Sequence, residues 1–229
     1  MGWQTAGKRP ALPHWTLWVR MARPGFLVVT AIGCVLGMTS AQAAGAFTSA
    51  ALACVTVVLA LMLHAAANML NDHADAINGA EVLQRCVQLL AANTQGLYPF
   101  TGGSRMVQTG QVDAQDMHRV AWVLLTLVAV AGVWLAARTG WALLGLGLAG
   151  MALGWVYSMP PLALMARGLG EVAVGLAWGL VVVGADYVQR GQFSWQAAAV
   201  AAGFAALVAN ILIGNGFPDA PSDAAVGKR

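Results

Sequence analysis

The chain has 229 residues, 59% of them hydrophobic and only 9% charged, with a mean hydropathy of +0.69. A soluble domain carries roughly a quarter charged residues, so this composition excludes one and points to a protein that lives in a bilayer. The net charge of +3 calls for no nucleic acid, because basic cytoplasmic loops give the same balance.

A span needs about 20 mostly apolar residues, and six stretches qualify: 25–43, 48–70, 119–137, 140–157, 169–188 and 195–214. Lys8, Arg9, Arg20 and Arg23 precede the first, and Ala41-Gln42-Ala43 at its end has the small-residue pattern of a signal-peptidase site. That leader is long for a signal peptide and the apolar part covers most of a bilayer, so an uncleaved span is expected. The second span ends in NMLNDHADAINGAE, residues 68–81. The fourth carries Gly140, Gly145, Gly147, Gly150 and Gly154, which predict close helix packing in lipid. The sixth runs out into NGFPDAPSDAAVGKR, where Pro218 and Pro221 predict a kink or a fresh start. Cys34 and Cys54 lie in apolar runs and Cys86 in a loop, with no CxxC pair, so no disulfide framework is expected. No soluble domain or linker intervenes. Residues 1–229 are read as one all-α, multi-span transmembrane bundle.

Orientation follows from charge. With the N-terminus in the cytoplasm, ten basic residues (Lys8, Arg9, Arg20, Arg23, Arg85, Arg105, Arg119, Arg167, Lys228, Arg229) lie on that side and two, Arg138 and Arg190, on the other. Eight of the nine acids share the cytoplasmic side, Asp186 being the exception. Charge bias for topology alone would not gather both signs at one face, so that face is expected to hold a site in an inner, cytoplasmic membrane.

Asn68, Asn71, Asp72 and Asp75 stand at i, i+3, i+4 and i+7, one helical face, with His64 a turn deeper in the membrane. A carboxylate at mid-bilayer costs roughly 2.5–3.5 kcal/mol on the mildest scale, so these groups must meet water, a cation or a polar cavity. All-oxygen ligands suit Mg²⁺ with phosphate oxygens completing its shell, and suit zinc poorly. Alone, the motif is equally well a solvated helix end. Asp219 and Asp223, four apart with Asn215 before them, repeat it at the end of another even-numbered span. Two such acidic tips facing each other would bridge a diphosphate through metal. Between them, Gly102-Gly103-Ser104 is a turn whose N–H groups suit an anion, with Arg105 as a charged donor. Tyr157, Arg167 and Glu171 follow on the same side; Arg167 is either an anion contact or a plain topology-setting charge.

These motifs resemble the UbiA superfamily of intramembrane prenyltransferases. NDHADAINGAE is similar to its first aspartate motif and NGFPDAPSDAAVGKR to its second, while FTGGSR and YSMPPLALMARGLGEVAVGLAWG are most similar to the branch that alkylates 1,4-dihydroxy-2-naphthoate in menaquinone synthesis. The resemblance implies nine spans, of which six are read here. It implies that Asp72, Asp75, Glu81, Asp219 and Asp223 hold Mg²⁺ on an isoprenyl diphosphate. Asn68, Asn71, Asn215, Arg105, Arg167 and Lys228 would contact substrate, with the aromatic face of Tyr157 or Trp178 beside the allylic cation. Glu81 stands where the family has aspartate, and Ala220-Pro221-Ser222 lacks the acid usual between the second pair. The implied partners are a prenyl diphosphate, an aromatic quinone precursor and the bilayer. Two other readings stay open: a cation-coupled transporter, and a prenyl-lipid-binding fragment without activity.

Overall fold

The computed structural model describes residues 14–77, 104, 106–107 and 110–225, with side chains for those between 15 and 214. The described residues form seven α-helices: α1 His14–Ala22, α2 Pro24–Ala43, α3 Ala50–Ile77, α4 Ala114–Thr139, α5 Ala142–Ser158, α6 Gly170–Arg190 and α7 Trp195–Ala225. A 3₁₀ turn, Leu164–Arg167, joins α5 to α6. The all-α, membrane-spanning character read from composition holds.

Five of these helices, α2, α3, α4, α6 and α7, are long and apolar enough to cross a bilayer. The predicted fourth span forms α5, which is apolar but has only 17 residues. Its end is set by Met159-Pro160-Pro161, because proline supplies no N–H and pushes the preceding residue out of helical conformation. The second span is longer than expected. α3 continues to Ile77, so the whole Asn68–Asp75 motif is helical rather than a helix exit. α7 is assigned as helix through Pro218 and Pro221 to Ala225; no fresh helix starts there, since one missing N–H bends a helix without having to end it.

Local signals set several boundaries. Pro24 opens α2, where its missing N–H costs nothing. Asp113 caps α4, accepting from the Gln115 N–H at 2.7 Å. α6 stops at Gly191, whose φ of 73° only glycine adopts without cost. α1, not anticipated as an element, buries Met21 while Trp15 and Trp18 stay exposed, the pattern of a helix lying at an interface.

Successive spans run in alternating directions, which puts the start of α2 and the ends of α3, α5 and α7 at one end of the bundle. Glycine fixes one close approach: a Cβ on Gly37 would strike Val182 O and Ala185, so α2 and α6 lie backbone to backbone. Of the glycines in α5, a Cβ on Gly150 or Gly154 would stand 3.7 or 3.5 Å from Leu63 or Ala67 of α3, as close packing predicts. Gly145 and Gly147 have no such neighbour within 4 Å.

The end remote from the acidic motif is locked by polar contacts. The buried Gln189 side chain accepts from the N–H groups of Thr48 and Ser49, both at 3.0 Å, and donates to Ser49 O at 3.0 Å. Arg190 pairs with the buried Asp186 at 2.9 Å and donates to Ser40 O at 3.3 Å. Asp186, the one acid assigned to that side, therefore has a structural partner.

Candidate functional site

A cavity of about 830 Å³ occupies the bundle. Along α3 it is lined from Asp75 down to Thr56, about 28 Å at 1.5 Å per residue. One end is polar, with Arg23, Asn68, Asn71, Asp75, Tyr157 and Glu171 on its wall. The remainder is walled almost wholly by aliphatic side chains and glycine, including Leu59, Leu63, Val133, Leu146, Met151 and Val181.

The first motif divides between two surroundings. His64, Asn68, Asn71 and Asp75 line the cavity, whereas Asp72 does not. Helical geometry explains the split. Relative to Asn68, residues 64, 71 and 75 lie about 20–60° to one side and residue 72 about 40° to the other, at 100° per residue. Asp72 is 1% exposed and turned into protein. Its Oδ2 accepts from the Ser104 N–H at 3.1 Å, and Arg23 Nη1 lies 3.6 Å from its Oδ1. The anion that the Ser104 N–H contacts is thus this carboxylate, while Gly102 and Gly103 of the expected turn lie outside the described residues. Asn71 donates to Asp75 Oδ2 at 3.4 Å and accepts from Ser158 Oγ at 2.9 Å, linking α3 to α5. Asn68 donates to Ala22 O at 3.0 Å, pinning α3 to the α1–α2 junction.

Arg23 and Ser158 carry roles that the sequence reading did not assign. Arg23 has φ 55° and ψ 64°, a left-handed backbone that costs a non-glycine residue roughly 1–2 kcal/mol. Its guanidinium reaches both Asp72 and the face of Phe26, 4.8 Å from the ring centre. The signal available was Arg23-Pro24 at the head of a span: a charge at the lipid boundary directly before a residue that opens a helix. Tyr157 and Glu171 line the polar end as their sequence positions suggested. Arg167 does not: it is exposed and donates to Pro161 O at 2.8 Å.

α7 lines the same cavity through Ile211, Leu212 and Ile213, so the second motif begins two residues beyond a cavity wall. The side chains of Asn215, Asp219 and Asp223 lie outside the described residues, as do Glu81, Arg105 and Lys228. Among the described residues no three His, Cys, Asp or Glu form a metal group. The donors present nevertheless suit a hard cation. Asp75 and Asn71 line the cavity with oxygen-bearing side chains, and Asp72 Oδ1 is buried with no hydrogen-bond partner among the described residues. An unsatisfied carboxylate oxygen is costly to bury, and charge from Arg23 only partly answers it at 3.6 Å.

The profile of the UbiA prenyltransferase family matches residues 26–229. Among curated relatives, 1,4-dihydroxy-2-naphthoate octaprenyltransferase of Mycobacterium leprae is 28% identical over 208 residues, 90% of this chain and 65% of that protein. Its Mycobacterium tuberculosis counterpart is 30% identical over 215 residues, 92% of this chain and 67% of that one. The chain thus spans about two thirds of the length of these relatives. The solved structure of a UbiA homolog from Archaeoglobus fulgidus bound to DMAPP and Mg²⁺ shares the fold with a TM-score of 0.62 at 17% identity, covering 92% of this chain and 66% of that one.

Proposed function

The chain belongs to the UbiA prenyltransferase family, and from that premise we propose that it transfers a polyprenyl group from an isoprenyl diphosphate to 1,4-dihydroxy-2-naphthoate, with Mg²⁺, at the cytoplasmic face of the inner membrane. The observation that carries this reading is the cavity's division into a polar end with Arg23, Asn71 and Asp75 and an apolar body, the two together about 28 Å long along α3. A diphosphate with a long hydrocarbon tail has that same division.

Asp72, Asp75, Glu81, Asp219 and Asp223 would hold the metal, whose chemistry there is to offset charge on the diphosphate oxygens. Arg23 lines the polar end and supplies fixed positive charge where the leaving group gains negative charge. Asn68 and Asn71 orient it with amide donors, and Asn71 is itself held by Ser158. The C–O bond to the diphosphate breaks with its electron pair leaving on oxygen. The ring carbon that bears the carboxylate then bonds to the allylic carbon, and its bond to the carboxylate breaks, the electron pair returning to the ring as carbon dioxide leaves. Aliphatic walls keep water from the allylic cation, and the Tyr157 ring beside the polar end stabilises it.

A cation-coupled transporter would carry its acids near the midplane, but Asp72 and Asp75 occupy the last two turns of α3. Membranes containing the chain, given radiolabelled prenyl diphosphate and 1,4-dihydroxy-2-naphthoate with or without EDTA, test the reading. Metal-dependent labelling of the naphthoate is expected. Prenyl diphosphate binding without labelling would assign a lipid-binding role instead, and the absence of both binding and labelling would end the proposal.

A further inference from the structure

His64 sits on α3 one turn below Asn68, about 6 Å deeper along the helix, and lines the cavity where its polar end gives way to aliphatic wall. Its ring is held from two sides. Nδ1 shares a 2.8 Å hydrogen bond with Thr30 Oγ1 of α2, and the ring stands edge to face with Trp178 of α6, centres 4.8 Å apart and planes at 90°. Both His64 and Thr30 are buried, at 9% and 1% exposure. Among the described residues the hydrogen bond of the His64 ring is the one at Nδ1, and the buried indole Nε1 of Trp178 has no partner. A buried polar group in the membrane interior is ordinarily satisfied. Here three helices fix an imidazole on the cavity wall with its second nitrogen uncommitted.

We propose that His64 binds the aromatic acceptor: Nε2 hydrogen-bonds a ring hydroxyl and holds the ring against Trp178. This rests on the prenyl-transfer reading. A diphosphate anchored at Asn71 and Asp75 puts its first prenyl carbon one to two turns deeper, at the level of His64. An acceptor ring must reach that carbon, and it needs a polar contact at a depth where the remaining wall offers almost none. A hydroxyl both donates and accepts, so it satisfies Nε2 in either tautomer. The aromatic face of Trp178 supplies stacking surface, and Thr30 acts as a positioning residue by fixing the ring.

Titration of the detergent-purified chain with 1-hydroxy-2-naphthoate, read by tryptophan fluorescence, and separately with farnesyl diphosphate and Mg²⁺, tests this. His64→Leu is expected to weaken naphthoate binding about tenfold, the effect of one lost buried hydrogen bond, with farnesyl diphosphate affinity unchanged. His64→Gln, which can keep both hydrogen bonds, should stay within threefold of wild type. Thr30→Val, close in shape and expected to fold, should lose naphthoate affinity several-fold. Naphthoate binding unaltered in His64→Leu and Thr30→Val overturns the assignment, as does an equal loss of both ligands. Wild-type protein that binds neither ligand would instead overturn the prenyl-transfer reading beneath it.

Discussion

Arg23 holds its guanidinium 3.6 Å from the Asp72 carboxylate oxygen that lacks a hydrogen-bond partner among the described residues. The pair joins the first residue before a span to the acidic motif nearly fifty residues later. Arg23 side-chain exposure is 17% against 1% for Asp72, so the carboxylate is the partner that suffers if the pair is broken. Arg23→Ala is therefore expected to destabilise the fold by about 3 kcal/mol, the lower end for a broken buried pair. The unfolding midpoint in detergent checks it. The same change should weaken prenyl diphosphate binding at least tenfold by equilibrium binding, because Arg23 also lines the polar end.

Asp75 lines the cavity and Asn71 donates to it. Asp75→Asn keeps the shape and removes the charge. Transfer is expected to fall at least a hundredfold, roughly the loss of 2.7 kcal/mol of barrier lowering. Binding of prenyl diphosphate should lose its dependence on Mg²⁺. A variant that still responds to EDTA as wild type does would show that Asp75 is no metal ligand.

Gly184 lines the cavity with nothing within 4 Å of where a Cβ would stand. It lies thirteen residues along α6 from Glu171, about 20 Å from the polar end. Gly184→Phe should fill that depth without displacing a neighbour. Octaprenyl diphosphate turnover is expected to drop at least tenfold while dimethylallyl diphosphate turnover stays within twofold. Competition between the two donors in one assay reads the ratio directly.

The Gln189 clamp gives a control remote from the chemistry. Gln189→Leu removes one acceptor for two N–H groups and one donor to Ser49 O. A stability loss of about 3 kcal/mol is expected from the buried groups left unpaired. Prenyl diphosphate affinity should be unchanged, as measured on the folded fraction at low temperature.

The spans were legible because lipid imposes one demand on every exposed side chain, and a run such as Ala50–His64 meets it without interruption. Helix ends were less so. α3 passes through Asn71 and Asp72 to Ile77 because those polar groups find Ser158, Ser104 and Arg23, partners far off in sequence. The spacing of the first motif correctly put Asn68, Asn71 and Asp75 on a common surface. It could not show that Asp72, on the edge of that stripe, turns inward to a loop backbone. Arg23 was counted as a topology-setting charge because nothing local announces a partner in another helix. Arg167 had the opposite fate: its carbonyl partner, Pro161, is local, and it stays at the surface.

α5 has 17 residues and so reaches about 25 Å, against a hydrocarbon layer of roughly 30 Å. Acyl chains beside it must compress to meet its ends, and the dimple this forms lies along a flank of the cavity, since Gly147, Gly150 and Met151 belong to both. Bilayer thickness is thereby coupled to the shape of that flank. Vesicles of longer-chain lipids will load it with strain that shorter-chain ones relieve.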